Sequence, residues 1–408
     1  MSDDAPPWGL RRDGFAPDPL VTALRESGGT CPVTTLVGHR AELVAGYEDA
    51  RAVHGDPAFG FEAMPAPPGA VGAVDAEELA RRRGGMLLAL DPPDHTRLRR
   101  MLAGRFTVRA MRALEPRISA LVDDALDRMA AAGPPADLVA DFALPVPSLV
   151  ICELLGVPYA DRDAFQARAA RTLESDVPLP ERVELQRSSR AYMATLVERA
   201  RREPGDDLVS MLVGEHGDRP AAEGGIDDDE LAGLANLLLV AGHETTSNVL
   251  ALGALAVLTD PAQRAVLQDA VTDPDGAALG RAVEEMLRHL SVVSAGFPRM
   301  ASRDVVVGSR TIPAGTMVTA SLCAANRDPS LGADLETLNL TREPLPHVAF
   351  GHGIHHCLGA PLARLELRIG FTALLRRLPG LTLAVDPADV RFRHETLIHG
   401  VHALPVRW

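Results

Sequence analysis

The sequence predicts a mainly α-helical protein with a small β component, a single domain over residues 1–408 organised around one long central helix. Three observations lead there. Apolar residues recur at three- and four-residue spacing through several long stretches. One stretch after Gly225 keeps an apolar character for about 30 residues. Strand-like runs are few, short and confined to the start and the last third of the chain.

Taken in order, the first residues (1–14) are acidic and proline-rich and are expected to form a flexible N-terminus. Residues 41–45 read as a strand. Residues 109–132 read as a helix, with Met111, Leu114, Ile118, Leu121, Val122, Leu126 and Met129 on its apolar face and a stop at Gly133-Pro-Pro. Helices are likewise expected over 181–202 and 362–378, and strands over 304–307, 311–312 and 317–322. Segments 62–78 and 203–225, rich in Gly with Pro or acids, read as surface loops, not interdomain linkers. Strand fragments on both sides of the helices favour one domain over the two or three that the length allows.

The central helix begins at a capping pair, Asp227 and Glu230, and runs to Leu258. At 1.5 Å per residue it is about 45 Å long. Leu231, Leu234, Leu237, Leu238, Leu239 and Val240 cover most of its faces, which predicts burial all round. Its middle reads Ala241-Gly-His-Glu-Thr-Thr-Ser247. Polar side chains inside a buried helix are costly unless something pairs with them.

Composition removes several functions. All 41 basic residues are arginine, so a lysine Schiff base, a phosphate-loop lysine and a kinase strand lysine are all absent. A net charge of −14 and 4% aromatics argue against nucleic-acid binding. Four dispersed cysteines make no disulfide framework. The N-terminus lacks the pattern of a signal peptide and the longest apolar run, 231–241, is too short to span a membrane, so a cytoplasmic location is expected.

The most informative loop is Phe350-Gly-His-Gly-Ile-His-His-Cys-Leu-Gly-Ala360, followed by Pro361 and a helix. Glycines before the cysteine permit a tight turn. A cysteine just ahead of a helix start meets free N–H groups and the positive end of the dipole, which favour a thiolate and hence a soft metal ligand. On these residues alone Cys357 could also be a small buried hydrophobe or a zinc ligand beside His352, His355 and His356.

Phe350, Gly353, Cys357 and Gly359 resemble the Phe-x-x-Gly-x-x-x-Cys-x-Gly signature of the cytochrome P450 monooxygenases. Ala241-Gly-His-Glu-Thr245 resembles the oxygen-binding helix motif of that family, and Glu285-Met-Leu-Arg288 its Glu-x-x-Arg pair, in the same order and spacing. The likeness runs from about Phe15 to Trp408 and is strongest to soluble actinobacterial members.

The resemblance implies a P450 fold with the long helix over a heme b. It makes Cys357 the iron ligand, with Phe350 packed beside the sulfur and Gly359 in the same cofactor loop. A thiolate ligand pushes electron density to heme iron and favours O–O cleavage, this enzyme class being the standard example. The resemblance assigns His95, Arg99, Arg299 and His355 to the heme propionates. It makes Thr245 a proton relay whose bond to the Ala241 carbonyl opens into a groove with room supplied by Gly242, and gives Glu244 a supporting role. The Glu285–Arg288 pair, meeting Arg342, is structural. Pocket walls fall at 59–88, 167–180, Asn236, Val240 and Ala241, 293–297 and 397–398.

The implied reaction is hydroxylation or epoxidation of an apolar polyketide, macrolide, terpenoid or peptide intermediate in antibiotic-type biosynthesis. The implied protein is a monomer fed by an acidic ferredoxin and an NAD(P)H-dependent reductase, with Arg97, Arg100, Arg105, Arg364, Arg368, Arg376 and Arg377 forming a docking patch. Oxidative coupling without oxygen insertion, or heme binding without catalysis, are the alternatives. One departure stands out: the stretch Gly332-Ala-Asp-Leu-Glu-Thr-Leu-Asn339 lacks the aromatics and prolines usual there, while Arg342 is kept.

Overall fold

The computed structural model describes residues 11–35, 38–65, 84–162, 171, 177–393 and 397–408. Most of the expected loop 62–78 and most of the expected pocket wall at 167–180 lie outside them. Of the start expected to be flexible, residues 1–10 also lie outside. Arg12–Asp13 pairs with Ala16–Pro17 as a small antiparallel ladder. There the buried Arg12 donates to the carbonyls of Leu290 and Ser291.

The core is helical. The central helix, Asp228–Thr259, starts at the expected capping box: the Glu230 N–H donates to Asp227 Oδ1 at 2.7 Å. Around it pack Pro145–Leu154, Leu179–Arg202, Ala277–Leu290 and Ala360–Arg377, and Val108–Ala132 packs in turn on Ala360–Arg377 and Pro145–Leu154. Small residues set the close crossings. A Cβ on Gly253 would stand 2.6 Å from the Phe371 ring, and one on Gly370 would stand 2.9 Å from Leu250 Cδ2.

A five-stranded sheet carries the other side of the molecule. Its order is Cys31–Thr34, Arg40–Val44, Met317–Ala320, Arg299–Ala301, Phe59–Gly60, with only Arg40–Val44 and Met317–Ala320 parallel. The hairpin Val305–Val307 with Arg310–Ile312 matches the expected strands. No single helix among the described residues is long and apolar enough to cross a membrane.

Candidate active site

The cysteine loop turns on two glycines. Gly351 and Gly353 have φ of +70° and +72°, a region L side chains rarely adopt. A Cβ on Gly353 would also stand 2.4 Å from the His54 carbonyl oxygen. Within the loop the Cys357 N–H donates to the Phe350 carbonyl at 2.9 Å. Gly359 caps the following helix with an ordinary φ of −79°.

Cys357 is the exposed one of four free cysteines. Burial nevertheless pushes its thiol pKa up, opposed by the Gly359 N–H, Arg99, Arg364 and the Ala360 N–H. The helix-start donors expected from sequence are present and act against that burial. A bound cation reverses that balance, because a coordinating thiol is deprotonated outright.

Beside the loop, four basic side chains converge. His95, on the helix Asp94–Ala103, is buried, and its ring centroid lies 4.3 Å from that of His355. Arg99, one turn along, donates to the His356 carbonyl at 2.6 Å. Arg299, buried in the sheet, lies with its guanidinium 5.2 Å from the centre of the Phe61 ring.

Burial, reinforced by Arg299, His95, Arg99 and His54, drives the His355 pKa down to about 3, and burial lowers Arg299 to about 10. Both ring nitrogens of His95 and His355, and Arg299 Nε, are buried without a hydrogen-bond partner. The carboxylate that acts on His95 and Arg299, Asp91, already accepts from the N–H groups of Phe61 and Glu62. A cluster of orphaned donors beside a lone cysteine fits heme, whose two propionates supply the missing acceptors. It does not fit zinc: among the described residues no three His, Cys, Asp or Glu side chains form a metal-binding group.

The middle of the central helix is not buried all round. Ala241 is exposed and Asn236, Leu238, Val240, Gly242 and Thr245 are half-buried, while His243 and Glu244 are buried. The expected opened groove is absent: the helix is continuous, and the Thr245 hydroxyl donates to the Ala241 carbonyl at 2.9 Å. This is the regular bond of a helical threonine to the carbonyl four residues back.

Gly242 does not give this face room either. A Cβ there would come within 3.2 Å of Ile151, so its smallness serves the crossing with Pro145–Leu154. Glu244 turns away, its Oε2 3.2 Å from Arg393 Nη1 and 3.3 Å from Asn248 Nδ2. Arg393 lies 149 positions on, and nothing in the sequence marks it as this carboxylate's partner. Val293 and Ile398, from two of the expected pocket walls, form a β-bridge, and Phe297 is 44% exposed.

Glu285 and Arg288 form the expected buried pair at 2.8 and 2.9 Å, with Arg342 Nε 3.1 Å from Glu285 Oε1. The unusual segment 332–339 is held by other means. Arg342 donates to the carbonyls of Ala333 and Asp334, the Asn339 N–H donates to Glu285, and Leu335 is buried.

The arginines expected to form a docking patch are mostly engaged. Arg97 pairs with Glu230, Arg105 with Glu215, Arg364 with Glu284 and Arg377 with Asp127, and Arg376 donates to the Val271 carbonyl. Arg100 and Arg368 make no ion pair among the described residues.

Residues 186–389 match the family model described as Cytochrome P450. The chain is 44% identical over 405 residues to cytochrome P450 FAS1 of Rhodococcoides fascians, covering 98% of each protein. It is 41% identical over 391 residues to mycinamicin IV hydroxylase/epoxidase of Micromonospora griseorubida, covering 94% of each. The crystal structure of CYP105P1 in complex with filipin I superposes with a TM-score of 0.89 at 40% identity, covering 99% of both chains. On sequence, fold and the cysteine loop together, the chain belongs to the cytochrome P450 family and is a heme-dependent P450 monooxygenase of the bacterial, secondary-metabolite type.

Proposed function

We propose that this monooxygenase hydroxylates or epoxidises a medium-sized or large apolar intermediate, macrolide-like in size, in the biosynthesis of an antibiotic-type metabolite. The observation that carries the reading is the orphaned basic cluster beside Cys357, and the other residues expected to line the substrate site (Ala241, Val293, Phe297, Ile398) are apolar. A relative named mycinamicin IV hydroxylase/epoxidase and a similar structure in complex with filipin I support the reading.

In this reading Cys357 Sγ ligates the iron of heme b, and His95, Arg99, Arg299 and His355 hold the propionates. Phe350, Gly359 and Ala241 would help to hold the cofactor. When bound, the heme would supply the oxidising chemistry of a monooxygenase, in which two electrons and two protons are consumed per dioxygen and one oxygen atom goes to substrate and one to water.

The chain's own residues supply protons, orientation and exclusion of water. Thr245 Oγ1 holds a proton, and the Ala241 carbonyl orients that hydroxyl. Glu244, anchored by Arg393 and Asn248, is the adjacent carboxylate that supports proton supply. Electrons come from an acidic ferredoxin and an NAD(P)H-dependent reductase, and the protein works as a cytoplasmic monomer. Among the arginines of the expected docking patch, Arg100 and Arg368 make no ion pair within the described residues and offer their charge to the ferredoxin. Reversing both to Glu slows reduction by ferredoxin but not by dithionite.

The test is turnover of macrolide-sized apolar compounds that shift the heme spin state, with ferredoxin, reductase and isotopically labelled dioxygen. One labelled oxygen atom in the product is the expected result. An oxidised product without label refutes oxygen insertion.

A further inference from the structure

The helix Ala277–Leu290 carries two adjacent glutamates, and successive helical residues point about 100° apart. Glu285 faces the buried pair already described. Glu284 faces the cysteine loop instead. Its Oε1 accepts from Arg364 Nε at 2.5 Å, and its Oε2 accepts from Arg364 Nη2 at 2.9 Å and from His347 Nε2 at 3.1 Å. The Ala349 N–H donates to His347 Nδ1 at 3.3 Å, which leaves Nε2 as the protonated nitrogen that reaches Glu284.

Both partners of Glu284 lean on one ring. The Arg364 guanidinium lies 4.6 Å from the Phe350 ring centre, and the His347 ring lies 6.2 Å from it. The Phe350 carbonyl in turn accepts the Cys357 N–H. Arg364 also acts directly on the cysteine as a favourable positive charge.

We propose that Glu284 is a positioning residue for the thiolate: by binding Arg364 and His347 against Phe350 it fixes the packing and the net charge beside Cys357, and so sets the reduction potential of the heme-loaded enzyme. The pairing is strong. Burial alone would raise the Glu284 pKa, but the hydrogen bonds from Arg364 and His347 outweigh it and hold the carboxyl at about 2. At working pH the cluster therefore presents a carboxylate and a guanidinium that cancel.

Breaking the pair from either side changes the charge in opposite directions. Glu284→Gln leaves the Arg364 cation uncompensated and favours the reduced, more electron-rich centre. Arg364→Met leaves the Glu284 anion and disfavours it. Arg364→Lys keeps the charge while giving up the fork and the flat contact with Phe350. A merely structural role would loosen the loop in both charge variants and move them the same way.

The proposal rests on Cys357 as the iron ligand. The experiment is a potentiometric titration of the heme-loaded unsubstituted protein and the three variants, with the carbon monoxide spectrum of each recorded alongside. The expected result is a higher potential for Glu284→Gln and a lower one for Arg364→Met. Each corresponds to roughly a tenfold change in the reduction equilibrium, about 59 mV for one electron. Arg364→Lys should stay close to the unsubstituted protein. Potentials that do not move, or that move in the same direction for both charge variants, overturn the proposal. Failure of the ligand assignment would show differently, as a missing thiolate band in the unsubstituted protein.

Discussion

Glu366, nine residues beyond Cys357, is 2% exposed, and its Oε2 has no hydrogen-bond partner. Burial pushes its carboxyl pKa from the ordinary 4.5 up to about 8. Between those values the unfolded chain releases the proton while the folded chain keeps it. The folded state therefore binds more protons, and stability falls as pH rises across that window. At about 1.4 kcal/mol per pH unit, raising the pH from 5 to 7.5 costs about 3 kcal/mol through this one group.

Glu366→Gln keeps the volume and removes the ionisation. The stability of the variant relative to the unsubstituted protein should rise by about 3 kcal/mol between pH 5 and pH 7.5. Urea unfolding of both at matched heme content and ionic strength, read as the difference between them at each pH, cancels the other titrating groups. A difference that stays constant from pH 5 to 7.5 would refute the reasoning, because Glu366 would then ionise alike in the folded and unfolded chain.

Three further outcomes follow from the site. Arg99→Leu with His355→Leu removes two charge-assisted partners, each worth about 1.5–3 kcal/mol, and the double variant should lose heme during gel filtration where the unsubstituted protein keeps it. Thr245→Ala should bind substrate with unchanged affinity while diverting reducing equivalents to peroxide, seen as a lower ratio of product formed to NAD(P)H consumed. Gly353→Ala should yield protein with little bound heme, measured as heme absorbance per unit protein, because the new Cβ meets the His54 carbonyl at 2.4 Å in a backbone of φ +72°.

The longest helices and the cysteine loop were legible because their signals are local, whereas the segment 203–225, expected as a loop, holds the helix Leu208–His216 capped by Asp207. The expected helix 109–132 and the observed Val108–Ala132 differ by one residue, since a Thr107 cap and a terminal Gly133 bracket an uninterrupted apolar face. The capping box at Asp227 was equally readable. The sheet was legible only in part: Phe59–Gly60 and Arg299–Ala301 are too short to show alternation, and pairing between residues 240 positions apart decides them.

Within the site, residue types were readable but their facings were not. Gly242 was misassigned because its neighbour is Ile151, a contact that depends on how two helices cross. The threonine bond stayed closed because nothing in the continuous helix displaces it. Several arginines that looked like a free surface patch were committed to carboxylates over 100 positions away, as Arg105 is to Glu215 and Arg377 to Asp127. The Glu284 cluster joins residues 63 and 80 positions apart, so no local pattern announces it.

Cys357 as the thiolate ligand of heme iron underlies the oxygen chemistry, the propionate cluster and the Glu284 cluster alike. The direct measurement is the absorption spectrum of the heme-loaded protein, reduced and saturated with carbon monoxide, for the unsubstituted chain and for Cys357→Ser. The unsubstituted protein should show the red-shifted Soret band of a thiolate-bound carbonyl complex, and Cys357→Ser should bind heme without that band. A red-shifted band that survives the substitution, or one absent from the unsubstituted protein, would contradict the assignment.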